Sequence, residues 1–524
     1  MSNAKTDAQE VPARRHRIDE WLERFGRRRM FWVVVMVAAL LYSQSEFLKQ
    51  PSKDDPANWD YIAQVITRGG VPYRDVVNIK TPLSAYIGAA AIVVARPFGV
   101  RDLIAIRITF LALAALTAGF TFLVALDSFN SYRIAVLAAS AMLAFDVFAR
   151  QNAGGVQPKT PMVLFGLVAL NAVPRDRPIA AGFFGMLSAL SWQPGLLFVG
   201  AAGLACSRNL TSWRDLKAVK VLFGALMPFA VFLAYLFGTS ALADFYRWTL
   251  HFNVTVYGPG ETRTIPNFFS SFAKLIGRRN VDLREYFYLA LVGLCVTIGL
   301  ESIRAIRRGS YSVETNPRQI VLIVTIVYFA FCMISFQAGA DLIPLLPFTA
   351  IFAAVALVWI VERVGSLVSR VRPATDRQTV EAWMCIALLV FILGRGVADA
   401  FSFERGFPTL KDQDVAISEI VAYLQPGEKI YAHGASGVLV LAGLTNASKY
   451  YYLDRGKDEY LDQVEPGGFV GWLERLKAER PKVVVLDRLT WSKYASYFEQ
   501  WVAAEYQLRN NRVYVYYVRK DGPD

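Results

Sequence analysis

The chain has 524 residues, 54% of them hydrophobic and 13% aromatic, with a formal net charge of +13 and a mean hydropathy of +0.33. Apolar residues come in runs of roughly 17 to 25 separated by short basic loops, which excludes an ordinary soluble globule and points to transmembrane helices. The positive charge sits largely in those loops, where it marks inside-facing helix ends, so it calls for membrane lipids and no nucleic acid as partners.

Residues 1–29 include the basic stretch "RRHRIDEWLERFGRRR" and are expected in the cytoplasm. The first apolar run, 30–48, exceeds a signal-peptide core and lacks a small-residue cleavage site, so it reads as a retained anchor. Further candidate spans cover 103–126, 134–148, 162–173, 179–190, 195–205, 221–236, 286–300, 320–336, 342–361 and 382–393. Together they give about eleven spans within a membrane region over 30–400.

Basic residues such as Arg133, Arg175, Arg177, Arg214, Lys217, Arg304, Arg307, Arg363 and Arg370 fall on the same side as the basic N-terminus. The first loop (50–102), a second loop (239–284) and the tail (401–524) then face outward. The segment 82–95 is too short to cross a ~30 Å hydrocarbon core and reads as a helix at the outer interface.

In the tail, "DVAISEIVAYL", "GFVGWLERLKAERP" and "YASYFEQWVAAEY" read as helices, while "EKIYAHG", "KVVVLD" and "RVYVYYVRK" read as strands. The fold class is mainly α: a polytopic helical membrane bundle with a C-terminal extracytoplasmic α/β domain. Cys206, Cys295, Cys332 and Cys385 all lie in or beside apolar runs and read as small hydrophobes, with no disulfide framework. No His, Cys or carboxylate motif of metal-ligand spacing occurs; a carboxylate-bound divalent cation near Asp54 and Asp55 is left open.

The first outward loop concentrates charge at the lip of a span. Asp54 and Asp55 precede an amphipathic helix on which Trp59, Ile62, Ala63 and Ile66 share one face, placed along the membrane surface, with Asp60, Gln64 and Thr67 opposite. Carboxylates favour a helix N-terminus, so a capping role for Asp55 stands beside a functional one. Arg74, Asp75 and Lys80 follow between Pro72 and Pro82; Arg74 can pair with Asp75, and Lys80 can snorkel.

The run "DPANWDYIAQVITRGGVPYRDVVNIKTPLSAYIGA", with "RDLIAIR", "SWQPGLL" and "DLIPLLPF" downstream, resembles the polytopic glycosyltransferases of the GT-C superfamily, in its ArnT-like, protein-mannosyltransferase-like branch. That resemblance implies a polyprenyl-phosphate sugar as donor, a glycan, lipid or protein as acceptor, and a site on the outer face of a bacterial inner membrane. It further implies Asp55, or its neighbour Asp54, as catalytic base, and Lys80 as a contact to the lipid phosphate. Arg278 and Arg279 of "FAKLIGRRN" match the loop that shares the phosphate. The pair here is Asp-Asp where the family more often has Asp-Glu, and Thr81-Pro82 follows Lys80 where Lys-Pro-Pro is usual.

The chemistry is consistent with this. A phosphate leaves as an anion without a general acid, so inverting transfer needs one carboxylate to deprotonate the acceptor hydroxyl, plus cations for the departing charge. Arg74 and Arg107 are further phosphate candidates, Arg107 because an intramembrane Arg faces a cavity or a partner. His251, Gln193, Tyr257 and Asp341 are candidates for the sugar and acceptor. The alternative is a transporter or flippase of lipid-linked sugars, which shares the need for a basic cavity but is built from inverted repeats, and none is visible.

Overall fold

The structure, a computed structural model, describes residues 16–207, 216–257, 270, 281–308, 316–334, 339–401, 408–487 and 492–520. In hydrocarbon each backbone polar group needs a partner within its own segment, and the apolar runs are accordingly helical. In order they are α1 (Arg17–Phe25), α2 (Arg27–Ser43), α3 (Asp54–Thr67), α4 (Leu83–Ala95), α5 (Asp102–Phe129), α6 (Tyr132–Leu143), α7 (Asp146–Gly154), α8 (Lys159–Ala172), α9 (Pro178–Ser191), α10 (Leu196–Cys206) and α11 (Leu216–Gly238). After α12 (Leu242–Phe245) and two π-helical segments, Tyr246–His251 and Asn253–Tyr257, come α13 (Val281–Arg308), α14 (Pro317–Ile334), α15 (Leu346–Val371) and α16 (Arg377–Phe401).

Among the described residues, five helices are long and apolar enough to cross a membrane: α5, α11, α13, α15 and α16. A sixth span results if α6 and α7, bent by 54° at their junction, count as one. The other runs that sequence counted as spans are shorter helices. The 179–205 stretch, for example, is split by a 3₁₀ turn at Gln193–Gly195 into α9 and α10. Helix α5 is the central post, packed against α2, α6 and α8. Helices α9 and α11 touch backbone to backbone: a Cβ on Gly182 would strike the Val221 carbonyl, and one on Gly224 the Ile179 carbonyl.

The tail adds α17 (Leu410–Val421), β1 (Ile430–His433), α18 (Ser436–Ala442), α19 (Lys457–Val464), α20 (Gly468–Ala478), β2 (Val483–Leu486), α21 (Ala495–Glu505), β3 (Tyr506–Asn510) and β4 (Val515–Arg519). Its sheet runs β1-β2-β4-β3. β1 and β2 are parallel, with Ile430 opposite Val483, and the crossover between them carries α18 to α20. β4 pairs antiparallel with both β2 and β3. Strand β3, which the sequence patterning did not single out, is nearly all exposed along one edge.

One sequence-based expectation is overturned. Helix α3 does not present one apolar face to lipid; every residue from Ala57 to Val65 is buried, Asp60 and Gln64 included. Trp59, Tyr61 and Ile62 share a core with α4 and α5 on one side and with Ile430, Val438, Leu439, Tyr451 and Val483 of the tail on the other. The tail supplies the second apolar surface that amphipathicity alone assigned to the membrane. Polar links reinforce the contact: Gln64 Nε2 donates to the Val440 carbonyl at 3.1 Å, and the Asn446 amide donates to the Tyr61 hydroxyl at 2.9 Å.

Candidate active site

A cavity of about 390 Å³ opens between the bundle and the tail, lined by Asp55, Ile79, Lys80, Lys159, Trp192, Gln193, Thr249, Asn253, Tyr257, Cys332, Asp341 and Arg455, among others. It is assembled from the start of α3, the turn before α4, the start of α8, the 3₁₀ turn after α9, the π-helical segments, the end of α14, the lead-in to α15 and one tail loop. Of the residues expected from sequence, it collects Asp55, Lys80, Gln193, Tyr257 and Asp341.

Asp55 lies in the first turn of α3, whose N-cap is Lys53 with no side-chain cap hydrogen bond, so the capping role is not taken up. Asp54 has a left-handed backbone (φ 58°), is exposed and does not line the cavity. Lys80 is pinned through its backbone: its amide donates to Asn78 Oδ1 at 3.1 Å, and its carbonyl accepts from the Tyr73 hydroxyl at 2.9 Å. The preceding Ile79 carbonyl accepts from Gln193 Nε2 at 3.0 Å and Asn253 Nδ2 at 2.7 Å. Gln193 therefore holds the Lys80 loop, and its amide nitrogen is engaged there.

The Lys80 ammonium sits between two indoles, 5.9 Å from the Trp59 ring and 5.8 Å from that of Trp192. Burial lowers its pKa from the ordinary 10.5; Asp55 and Asp341 oppose that, and Lys159 and Lys457 add to it. Lys159 takes the same indole at 5.1 Å and pairs with Asp341 at 2.7 Å. Arg455 reaches in from the tail, its Nη1 donating to the Tyr257 hydroxyl at 3.2 Å. Sequence reasoning missed Lys159, Trp192 and Arg455. A signal for the first existed: "KTP" at 80–82 recurs at 159–161, each time opening an apolar helix.

The remaining candidates lie elsewhere. Arg74 pairs with Asp75 at 2.8 Å and donates to the Thr239 carbonyl at 2.9 Å, both outside the cavity. His251 Nδ1 lies 2.8 Å from the Tyr460 hydroxyl, against the tail. Arg278 and Arg279 fall outside the described residues. Arg107 is a staple: fully buried, it donates to the carbonyls of Gly154 (3.2 Å), Phe47 (2.5 Å) and Pro51 (3.2 Å). Below the cavity, the buried Asp60 accepts from the Val156 amide at 2.8 Å through Oδ1, while its Oδ2 has no hydrogen-bond partner among the described residues. Burial raises its pKa from 3.8 to about 7, against the Val156 bond and the Arg107 charge. A Cβ on Gly155 (φ 148°) would strike this carboxylate, so glycine keeps the α7–α8 link seated on α3.

Among the described residues, no group of three or more His, Cys, Asp or Glu is placed to hold a metal ion. No model of a known protein family matches the chain, and no curated protein matches it in sequence. Solved structures do match. ArnT from Cupriavidus metallidurans bound to undecaprenyl phosphate aligns with a TM-score of 0.59 at 15% identity, over 95% of this chain and 100% of that one. The same protein in its apo state gives 0.61 at 16% identity, over 94% and 99%. The fold is ArnT-like GT-C. The apo oligosaccharyltransferase of Archaeoglobus fulgidus aligns at 0.52 and 13% identity, over 89% of this chain and 70% of that one. A GT-C bundle with a small C-terminal sheet is what the sequence implied, and here the cavity lies where bundle and tail meet.

Proposed function

We propose that this chain is an inverting glycosyltransferase that moves a sugar from a polyprenyl-phosphate donor to an acceptor hydroxyl, on the outer face of a bacterial inner membrane. The observation that carries the reading is the convergence of Asp55 with Lys80, Lys159 and Arg455 in one cavity bordered by the apolar side chains of Leu250, Val254 and Phe331. The apolar border suits an isoprenoid and the cations suit its phosphate. The ArnT structure of like fold holds undecaprenyl phosphate, which supports a lipid-linked donor here.

In this mechanism the Asp55 carboxylate accepts the proton of the acceptor hydroxyl. The acceptor oxygen bonds to the anomeric carbon as the anomeric C–O bond to phosphate breaks, and that electron pair leaves on the phosphate. Lys80 and Arg455 stabilise the departing charge, with Lys159 balanced against Asp341 beside them. The proton leaves Asp55 to water after the glycoside departs. The test is release of free polyprenyl phosphate when purified protein meets a panel of polyprenyl-phosphate hexoses and pentoses together with envelope extract. Release that requires both extract and protein is expected; intact donor across the panel, in protein shown to bind polyprenyl phosphate, refutes transfer and favours a carrier.

A further inference from the structure

A second cavity, of about 300 Å³, lies at the other end of the bundle and shares no lining residue with the active-site cavity. Helix α5 meets the tail at its start, where Arg101 pairs with Asp414, and ends at Phe129. The second cavity begins beside Arg133, just past that far end. Its walls come from residues 30–37 of α2, 133–143 of α6 and 385–393 of α16, and Ile18, Trp21 and Leu22 of α1 border its Arg133 end. We infer that this cavity receives one acyl chain of an anionic glycerophospholipid, whose headgroup phosphate lies at Arg24 and Arg29.

The lining suits hydrocarbon. Apart from Arg133 and Ser140, its side chains are apolar or, at Trp21, amphipathic. The two exceptions are already engaged: Ser140 Oγ donates to the Val136 carbonyl at 2.9 Å, and Arg133 donates to Asp19 at 3.1 Å and to Glu362 at 3.0 Å. From Cys385 to Leu393 the wall runs about 12 Å at helical rise, most of the ~15 Å depth of one leaflet. It therefore takes the upper length of one chain standing in that leaflet. Trp21, Val33 and Ile386 are each about half exposed, which leaves one side of the cavity open to lipid. The stretch before α1, "MSNAKTDAQEVPARR", is mostly polar and supplies no run of apolar side chains to fill it.

Charge selects the headgroup. On α1, Ile18, Trp21, Leu22 and Phe25 share one face at i, i+3, i+4 and i+7, and the exposed rings of Trp21 and Phe25 suit a membrane interface. Asp19 fastens this helix to α6, accepting from the Arg133 amide at 3.0 Å. Arg24 follows Trp21 by three residues and Arg29 precedes Val33 by four, so each stands one helical turn from an open side chain of the cavity. Both are exposed, and neither has an ion pair or hydrogen bond among the described residues. Nearby Arg17 and Arg27 are taken by Asp376 and Asp127, and Glu20 and Glu23 lie on the face of α1 opposite the apolar one. Two uncompensated guanidinium groups beside an apolar slot favour a headgroup of net negative charge over a zwitterionic one.

The experiment is photocrosslinking of the full chain in phosphatidylcholine nanodiscs, followed by peptide mapping. The discs carry a trace of phosphatidylglycerol or phosphatidylcholine with a diazirine midway along one chain. Labelling within residues 30–37 and 385–393 is expected, favouring phosphatidylglycerol about fivefold or more. That preference is expected to vanish in the double variant Arg24→Gln, Arg29→Gln, whose changes are confined to exposed side chains. Val37→Trp, which fills the slot, is expected to remove the label at 385–393 for both lipids. Any of these results overturns the inference: equal labelling by the two lipids in wild type, label confined to other helices, a preference that survives the double substitution, label retained in folded Val37→Trp, or displacement of the label by undecaprenyl phosphate.

Discussion

Replacing Asp60 by asparagine removes a titrating group from the seam between α3, α5 and the α7–α8 link. The carboxyl is fully buried and has a pKa near 7 where an exposed aspartate has 3.8, chiefly because burial disfavours its charge. A folded-state pKa above the unfolded one means that the native state holds the extra proton between those values. Wild-type stability therefore falls as pH rises from about 4 to about 7 and is level above that. The interval from 3.8 to about 7 corresponds to about 4 kcal/mol of stability lost by neutral pH. The side-chain amide introduced by Asp60→Asn keeps an oxygen for the Val156 amide and carries no proton to lose. Thermal unfolding of detergent-solubilised protein at a series of pH values tests this. Wild type and Asp60→Asn are expected to coincide near pH 4 and to separate by pH 7.5, the variant being the more stable. Parallel profiles through that window refute the assignment of a buried, mostly neutral carboxyl at Asp60.

Lys80→Ala is expected to weaken polyprenyl-phosphate binding about tenfold or more, measured by titration at fixed salt. Because burial lowers the Lys80 pKa below 10.5, wild-type donor affinity declines with rising pH before an exposed lysine would titrate; Lys80→Arg, always charged, moves that decline out of range. Arg107→Met strips the donor from the Phe47, Pro51 and Gly154 carbonyls. It is expected to cost about 3 kcal/mol or more in stability while the folded fraction binds donor phosphate with unchanged affinity; a selective loss of affinity would return Arg107 to the phosphate site.

How far the sequence reached depends on the kind of contact. Hydrophobic runs declare helices wherever they occur, so the bundle was legible, and the strands "EKIYAHG" and "KVVVLD" were legible from their β-branched residues. The local charge pattern marked the first loop, with Asp54, Asp55, Arg74, Asp75 and Lys80, and the family resemblance singled out Asp55 and Lys80, which line one cavity. What stayed hidden depends on tertiary partners. The burial of Asp60 and Gln64 follows from the tail closing over α3, more than 300 residues away in the chain. Arg455 arrives from the same tail, and its approach to Tyr257 has no local signature. Arg107 looked functional because an intramembrane arginine needs a partner; the partners are main-chain carbonyls, which sequence cannot show.

The central claim is that Asp55 takes the acceptor's proton. The direct measurement is turnover of Asp55→Asn beside its affinity for the lipid-phosphate donor, in the same preparation. A fall of about 10²-fold or more in kcat with donor affinity preserved is the predicted result; turnover equal to wild type, or full loss in Asp54→Asn with Asp55→Asn active, contradicts it.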